Sequence, residues 1–485
     1  MKKILNILIV LFLCTLLDSK DKNLEELLLD LQSSHYPTRI SAIYNLGILK
    51  DHRAIKPLEY LFFTNKNSTA YSERYDIVDA LRSIGYTDAI ESLIRMLKTN
   101  YCTDAIIAAL NSLDPDWKMR QDAQKLFDNF IISITEHDEH ALNAIKILPL
   151  ISPEKALKPF LKTLTERGLN DNEIRPFLDG LGIIKSKETL IPLIEFFFDP
   201  NYTSFRFGTA TTLDKINPDW RDMKLVKDKI PELLEESENP MSDSNKSRMI
   251  YSFEILRDNR AIPYLLRMIK ENDLVKSDAL NALAFFNDKD AKDAVLEALN
   301  DKEISLRNQL LGTIGISGLE YYCRPLIDII RNKDDEARWA AIESIGKLKC
   351  SSALPALIEI IETAVNKNSI EDSYIKDEAL LTIISISDCA IVPTLLKWLK
   401  QKKYYQDYLI YTLAQFNDKR IAESLIPLLE DATISLNANA IEILRKSDDP
   451  RALKLLQKAL IDTDWETRAH AEWAIWNIQH HKTSE

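Results

Sequence analysis

The feature that most constrains this chain is an apolar anchor residue that recurs at a nearly fixed spacing. In three consecutive segments the anchors are Leu283, Ile314 and Ile345, each 31 residues from the next. Extending the pattern both ways adds Leu46, Leu81, Leu110, Leu148, Leu181, Leu213, Phe253, Ile383, Leu413, Leu444 and Ile475. Fourteen such units, at a period of roughly 30 to 40 residues, indicate a repeat protein in which each unit packs against its neighbours.

Each unit has the apolar spacing of two short amphipathic helices, with apolar residues at i, i+3, i+4 and i+7. We name the first helix of a unit A and the second B. An aspartate often precedes the B helix, where its carboxylate is expected to cap the first-turn N–H groups. These aspartates are Asp51, Asp258, Asp288, Asp418 and Asp449. With only 10 glycines in 485 residues, the chain is poor in the residue that hairpins and phosphate loops require. The sequence therefore predicts an all-α fold, a right-handed α-solenoid of about fourteen helix pairs.

Two units carry a recognisable residue pattern. The first has Arg39, Ala42, Leu46-Gly47 and then Ala54-Ile55-Lys56-Pro57-Leu58, and the second has Ala337-Arg338, Ala341, Ile345-Gly346 and then Ala353-Leu354-Pro355-Ala356-Leu357. This pattern resembles the HEAT repeat, in particular the HEAT-like repeat of phycobilisome lyases. The resemblance implies HEAT-like helix pairs, and it leaves a lyase or another enzyme acting on a protein-bound substrate as an alternative function. HEAT arrays host many unrelated functions, so the resemblance implies architecture rather than activity.

Two near copies of a short motif subdivide the array. Residues 113–117 and 216–220 both end in Pro-Asp-Trp, and each opens a longer connection. We expect N-terminal repeats over 35–245, in two related blocks at 35–135 and 136–245, and C-terminal repeats over 246–485. For Trp117 and Trp220 we favour packing at a repeat end, with a binding role as the alternative.

The N-terminus resembles a bacterial signal peptide. Lys2 and Lys3 precede an apolar run from Ile4 to Leu17, which is too short to span a bilayer. We expect residues 1–19 to be removed and the protein to be exported to the periplasm or the extracellular space. Cys14 within the run leaves a lipoprotein as the alternative, in which a lipid anchor would be the chain's contact with the membrane.

The remaining cysteines are Cys102, Cys323, Cys350 and Cys389. They form no C-x-x-C pair and have no regular spacing, so no disulfide framework is indicated. We expect them to be free and buried as small apolar residues.

Signatures of catalysis are missing from the sequence. No phosphate loop, nucleophile elbow, H-E-x-x-H or dinucleotide motif occurs. His137 and His140 flank Asp138 and Glu139, but this stretch begins a repeat helix, where acidic residues are ordinary. We expect no enzyme activity, no cofactor and no metal. The net charge of −12 does not indicate a basic surface for nucleic acid, and we expect no nucleic acid to bind.

One face of the A helices carries an unusual set of residues. If the anchor is position nine of its helix, positions three and seven point away from the core. Aromatic residues at these positions are Tyr44, Tyr75, Phe207, Tyr251, Trp339, Tyr411 and Trp473. Acidic neighbours are Asp79, Asp179, Glu343, Asp377, Asp407 and Glu442, which favour a basic partner. We predict an exported, non-catalytic scaffold that binds a protein or peptide on its concave surface through these rings. The alternative is that the rings pack between repeats.

Overall fold

The computed structural model describes residues 23–64, 70–166, 169–239, 241–271, 274–301, 303–333, 335–365, 370–401, 406–462 and 464–481. The predicted signal peptide at 1–19, including Cys14, lies outside these residues. All regular secondary structure in the described residues is helical, without a strand, which confirms the all-α prediction. No helix within them is long and apolar enough to cross a membrane.

Among the described residues, the short helix α1 (Leu24–Asp30) precedes helices that alternate between A and B. The A helices are α2 (Tyr36–Leu49), α4 (Ala70–Ile84), α6 (Thr103–Leu113), α8 (Ala141–Ile151), α10 (Asp171–Ile184), α12 (Arg206–Ile216), α14 (Asp243–Leu256), α16 (Lys276–Leu283), α18 (Ile304–Ser317), α20 (Arg338–Leu348), α22 (Ile370–Ile386), α24 (Gln406–Ala414), α26 (Ala438–Arg445) and α28 (Trp465–His481). The B helices are α3 (Ile55–Thr64), α5 (Thr87–Met96), α7 (Gln121–Glu136), α9 (Pro153–Glu166), α11 (Leu190–Phe198), α13 (Lys224–Ser237), α15 (Ile262–Glu271), α17 (Lys289–Ala298), α19 (Cys323–Arg331), α21 (Leu354–Val365), α23 (Val392–Lys400), α25 (Lys419–Glu430) and α27 (Pro450–Ala459).

The helices form two compact units, Met1–Glu235 and Glu236–Glu485. In the first unit α2, α4 and α6 pack in order, as do α8, α10 and α12. In the second unit each A helix from α14 to α28 packs against the next. The predicted block limits at 135 and 245 stay a prediction.

The predicted anchors form the core of each repeat. All of them lie on A helices, and every anchor from Leu46 to Leu444 is buried. Ile475 on α28 is half-buried. The apolar period thus reports burial between stacked helices.

The five predicted capping aspartates all cap. Each accepts a hydrogen bond from the backbone N–H two residues later, as Asp418 does from Arg420 at 3.0 Å. In four of these corners the residue two positions later is an arginine whose guanidinium also donates to the same carboxylate. These pairs are Asp51–Arg53, Asp258–Arg260, Asp418–Arg420 and Asp449–Arg451. The side-chain hydrogen bond from Arg53 holds the pKa of Asp51 at about 2. In an Asp-x-Arg corner the carboxylate therefore caps the helix start and pairs with the arginine side chain at the same time.

Both tryptophans of the duplicated motif are fully buried. Trp117 Nε1 donates to Asn111 Oδ1 at 2.9 Å, and Trp220 Nε1 donates to Asp214 Oδ1 at 2.8 Å. Because neither ring reaches the surface, the favoured packing role is the correct one of the two interpretations.

The prediction of free, buried cysteines is wrong for three of the four residues. Cys323 and Cys350 form a disulfide that joins the corners of two successive repeats, and Cys389 is exposed. Cys102 is free and buried, as expected. Cys350 occupies the position where other corners carry the capping aspartate, and it makes no side-chain cap. Stacking brings together two residues that are 27 positions apart, which their spacing in sequence does not reveal.

Small residues let neighbouring A helices approach closely. A methyl group on Gly47 would lie 3.1 Å from the Ala80 Cα, and one on Gly315 would lie 3.0 Å from the Ser344 Cα. Hydroxyls bridge the same interface, since Ser344 Oγ donates to the Leu311 carbonyl at 2.7 Å. Larger side chains at these positions would force the A helices apart.

Candidate binding face on the A helices

The seven aromatic residues predicted to bind a partner lie on seven different A helices. Phe207, Trp339 and Trp473 expose 61%, 51% and 50% of their surface. Tyr44, Tyr251 and Tyr411 are also exposed, whereas Tyr75 is half-buried. We call the side of the A helices that carries these rings the A face. The rings are not enclosed between repeats, and their role in binding stays a prediction.

Exposed aromatic residues are unevenly shared between A and B helices. Of the described residues on B helices, the exposed aromatic ones are Tyr60 and Phe63, both on α3. The A helices expose aromatic rings on α2, α4, α12, α14, α20, α22, α24 and α28. Interface cores are enriched in such rings, whereas solvated helix faces are not. The A face therefore has the composition of a protein interface.

In the first unit, hydroxyl groups of tyrosines link neighbouring A helices. The Tyr36 hydroxyl lies 3.3 Å from the Ser72 hydroxyl, joining α2 to α4. The rings of Tyr71 and Tyr75 meet edge to face, and Tyr75 donates to Asp104 Oδ1 on α6 at 3.4 Å. The hydrogen bond with Tyr71, together with burial, raises the pKa of Tyr75 above its usual range. Tyr75 therefore presents a neutral hydroxyl group rather than a charge.

In the second unit, an arginine lies between a carboxylate and an indole. Arg445 on α26 donates from Nε to Glu442 Oε2 at 2.7 Å and from Nη2 to Oε1 at 2.6 Å. Its guanidinium carbon lies 5.1 Å from the centre of the Trp473 ring on α28. The hydrogen bonds from Arg445 lower the pKa of Glu442. The guanidinium thus makes a bidentate hydrogen bond with the carboxylate and a cation–π contact with the indole.

A second group of acidic residues and rings lies on α20, α22 and α24. Burial, followed by the charge of Glu343, raises the pKa of Glu378. Burial and the charge of Asp377 raise the pKa of Tyr408, whose ring centre lies 6.0 Å from that of Tyr411. Glu343 pairs with Lys347 at 2.7 Å, but no cation among the described residues pairs with Glu378.

Three residues of this face were missed by the sequence analysis, namely Glu378, Tyr408 and Arg445. Glu378 and Tyr408 each follow directly after a predicted outward position. A prediction that counted the next residue of each helix as outward would have included them. Arg445 follows Glu442 by three positions, the spacing of an acid–base pair on a helix. Its contact with Trp473 depends on the stacking of repeats.

The cluster from His137 to His140 shows no metal-binding arrangement. Asp138 accepts hydrogen bonds from Ser133 Oγ at 3.0 Å and from the His140 backbone at 2.8 Å. In the described part of the chain, no group of three or more His, Cys, Asp or Glu residues is arranged to hold a metal ion.

Comparison with known families agrees with the repeat geometry. Residues 392–476 match the family model of HEAT repeats, and residues 337–363 match that of the PBS lyase HEAT-like repeat. The chain contains HEAT repeats. The second match covers α20 and nearly all of α21, which carry the residues on which the resemblance was based.

Relatives of this HEAT-repeat protein are distant. Deoxyhypusine hydroxylase of Schizosaccharomyces pombe (strain 972 / ATCC 24843) is 31% identical over 115 residues, 23% of this chain and 32% of that enzyme. The match therefore spans about a third of the enzyme's length. The structure of a Kap95:Nup1 complex is similar with a TM-score of 0.53 and 12% identity, over 94% of this chain and 71% of that chain. A crystal structure of importin beta in an ammonium sulfate condition gives a TM-score of 0.48 at 12% identity, over 94% and 72% of the two chains.

Proposed function

We propose that this HEAT-repeat protein is an exported, non-catalytic scaffold that holds a protein or peptide partner on its A face. The observation that carries the proposal is the concentration of exposed aromatic rings on A helices. Aromatic side chains give a large contact area at a low cost in rotamer entropy. A similar fold occurs in the Kap95:Nup1 complex, which supports protein binding as a use of this fold.

Packing between A helices supports the A face as the inner, concave side of each unit. The A helices approach closely at Gly47 and Gly315, and in most repeats neighbouring A helices pack more extensively against each other than neighbouring B helices do. When one layer of a stacked array is spaced more tightly than the other, the array curves toward the tighter layer. A partner on that side touches several repeats at once, so each ring adds to one interface.

Charge on the A face favours a basic partner. Asp179 and Asp407 are exposed and form no ion pair with a described residue, whereas Asp79, Glu343, Asp377 and Glu442 each share a basic residue of the protein. Unlike charges across an interface increase the association rate and penalise acidic competitors.

The disulfide supports export. Disulfides persist in oxidising compartments and are rare in the bacterial cytoplasm. The Cys323–Cys350 bond thus agrees with the signal-peptide prediction, although the two rest on different parts of the chain.

Site-specific photocrosslinking tests the binding face. A benzophenone amino acid placed at Trp339 is expected to give a covalent adduct when the protein is expressed in its native organism. The matched control carries the same group at Tyr60, which is exposed on a B helix. Equal adducts from both positions, or none from position 339, would contradict the proposal.

Mass spectrometry of the native N-terminus tests export. Loss of residues 1–19 from protein in the exported fraction is the expected result. Lipid on Cys14 would instead establish the lipoprotein alternative, and an intact N-terminus in the cytoplasm would overturn export.

An enzyme remains the second candidate, supported by the match to deoxyhypusine hydroxylase. A hydroxylation assay on a deoxyhypusine-containing protein tests it. A mass gain of one oxygen atom that requires this chain would replace the scaffold proposal.

A further inference from the structure

The arginine held between Glu442 and Trp473 shows how this surface binds a guanidinium. Arg445 has two hydrogen bonds to one carboxylate, and its guanidinium carbon lies 5.1 Å from the centre of an indole ring of the next repeat. Arginine is suited to such a place because its planar group both pairs bidentately and stacks on rings. Here the protein's own residue fills the site.

Three repeats toward the N-terminus, a tryptophan and acidic residues again lie on the A face, but no arginine of the described residues forms an ion pair with them. Trp339 and Glu343 lie one turn apart on α20, and the half-buried Glu378 follows on the adjacent α22. Tyr411 on α24 exposes its ring on the same face. Among the described residues Arg338, the nearest arginine in sequence, donates to the Ile330 carbonyl at 2.7 Å and is thereby committed elsewhere.

Glu378 is the carboxylate of this group that has no cationic partner among the described residues. Glu343 and Asp377 lie near it, and the neighbouring cations are already engaged, because Lys347 pairs with Glu343 and Lys376 with Asp377. A half-buried carboxylate among other carboxylates is unfavourable on its own and becomes favourable when a cation arrives. The region therefore has charge complementarity to a cationic side chain.

We infer that the A face of α20, α22 and α24 binds an arginine side chain of the partner, with Glu378 pairing with its guanidinium, Glu343 adding a hydrogen-bond acceptor beside its ion pair with Lys347, and Trp339 stacking on the guanidinium. This inference rests on the proposed function and specifies the partner as an arginine-bearing segment. A lysine would be a weaker ligand, since its ammonium group cannot pair bidentately or stack.

Fluorescence anisotropy on the full chain, at physiological salt, tests the inference. The probe is a fluorescein-labelled peptide of three alternating Arg-Gly pairs, compared with peptides that carry lysine or the neutral isostere citrulline in place of arginine. We expect the arginine peptide to bind, the lysine peptide to bind more weakly, and the citrulline peptide not to bind. The double variant Glu343→Gln/Glu378→Gln is expected to weaken arginine-peptide binding about tenfold or more, since charge-assisted hydrogen bonds are lost.

The control variant is Glu359→Gln/Glu423→Gln, which removes the same charge from two exposed positions on the B helices α21 and α25. It is expected to bind the peptide as the unmodified protein does. Equal weakening in both double variants would mean general attraction to an acidic chain and would overturn the inference. Equal binding of the arginine and citrulline peptides, or no binding of either, would also overturn it. Adduct formation at position 339 would still decide the proposed function independently.

Discussion

Four tryptophans, two in each unit, lie in two different environments. In the first unit, Trp117 and Trp220 are fully buried and donate their indole N–H to Asn111 and Asp214. In the second unit, Trp339 and Trp473 leave about half of their surface exposed on the A face. Position in the repeat accounts for the difference, because the first pair follows an A helix in a corner and the second pair lies on the outward side of an A helix. Residue type alone therefore does not distinguish a packing residue from a candidate binding residue.

Replacing a corner tryptophan should give the largest loss of stability. Trp220→Ala removes a fully buried indole and leaves a cavity, so we expect a loss of about 3–5 kcal/mol in the free energy of unfolding. Urea unfolding followed by circular dichroism measures it. Trp339→Ala is the matched control. An equal loss of stability in the two variants would show that corner and A-face tryptophans contribute alike to the fold.

The corner beside Trp339 is held by a disulfide instead of an indole, and breaking it should cost slightly less. Cys323→Ser opens a loop of 27 residues, for which chain entropy predicts a loss of about 3.5 kcal/mol. The melting temperature of the variant should match that of the reduced unmodified protein. Cys389→Ser, at an exposed free cysteine, should change nothing. A melting temperature that reduction does not lower would show that this corner does not depend on the bond.

Truncating the exposed rings should affect binding and leave the fold intact. For Trp339→Ala and Trp473→Ala we expect a loss of about 2 kcal/mol in binding to the partner captured by crosslinking, as for interface hot spots. Stability should stay within about 0.5 kcal/mol of the unmodified protein. Calorimetric titration and thermal melting give the two quantities. A large fall in melting temperature with unchanged binding would assign these rings to packing.

The smallest effect is expected at Glu378. Its pKa is raised by burial and then by Glu343, so the folded state binds the proton more tightly than the unfolded state does. Its contribution to stability is therefore lost as pH rises through the folded-state pKa. Glu378→Gln removes this titration, and we expect stability at pH 7 to be equal or slightly higher, by less than about 0.5 kcal/mol. Melting curves between pH 4 and 8 check the direction. A clearly less stable variant would mean that this carboxylate supports the fold.

The sequence by itself determined the repeat architecture. The anchors from Leu46 to Leu444 could be placed because burial between stacked helices imposes a periodic apolar pattern, and the capping aspartates could be placed because helix N-termini need acceptors. The outward side of the A helices followed from the same geometry.

Contacts between repeats were decided by the tertiary structure. The Cys323–Cys350 bond, the Arg445–Trp473 contact and the proximity of Glu343 to Glu378 join residues of successive repeats. Helical periodicity fixes the direction of a side chain on its own helix, whereas stacking determines which residue of the next repeat it meets.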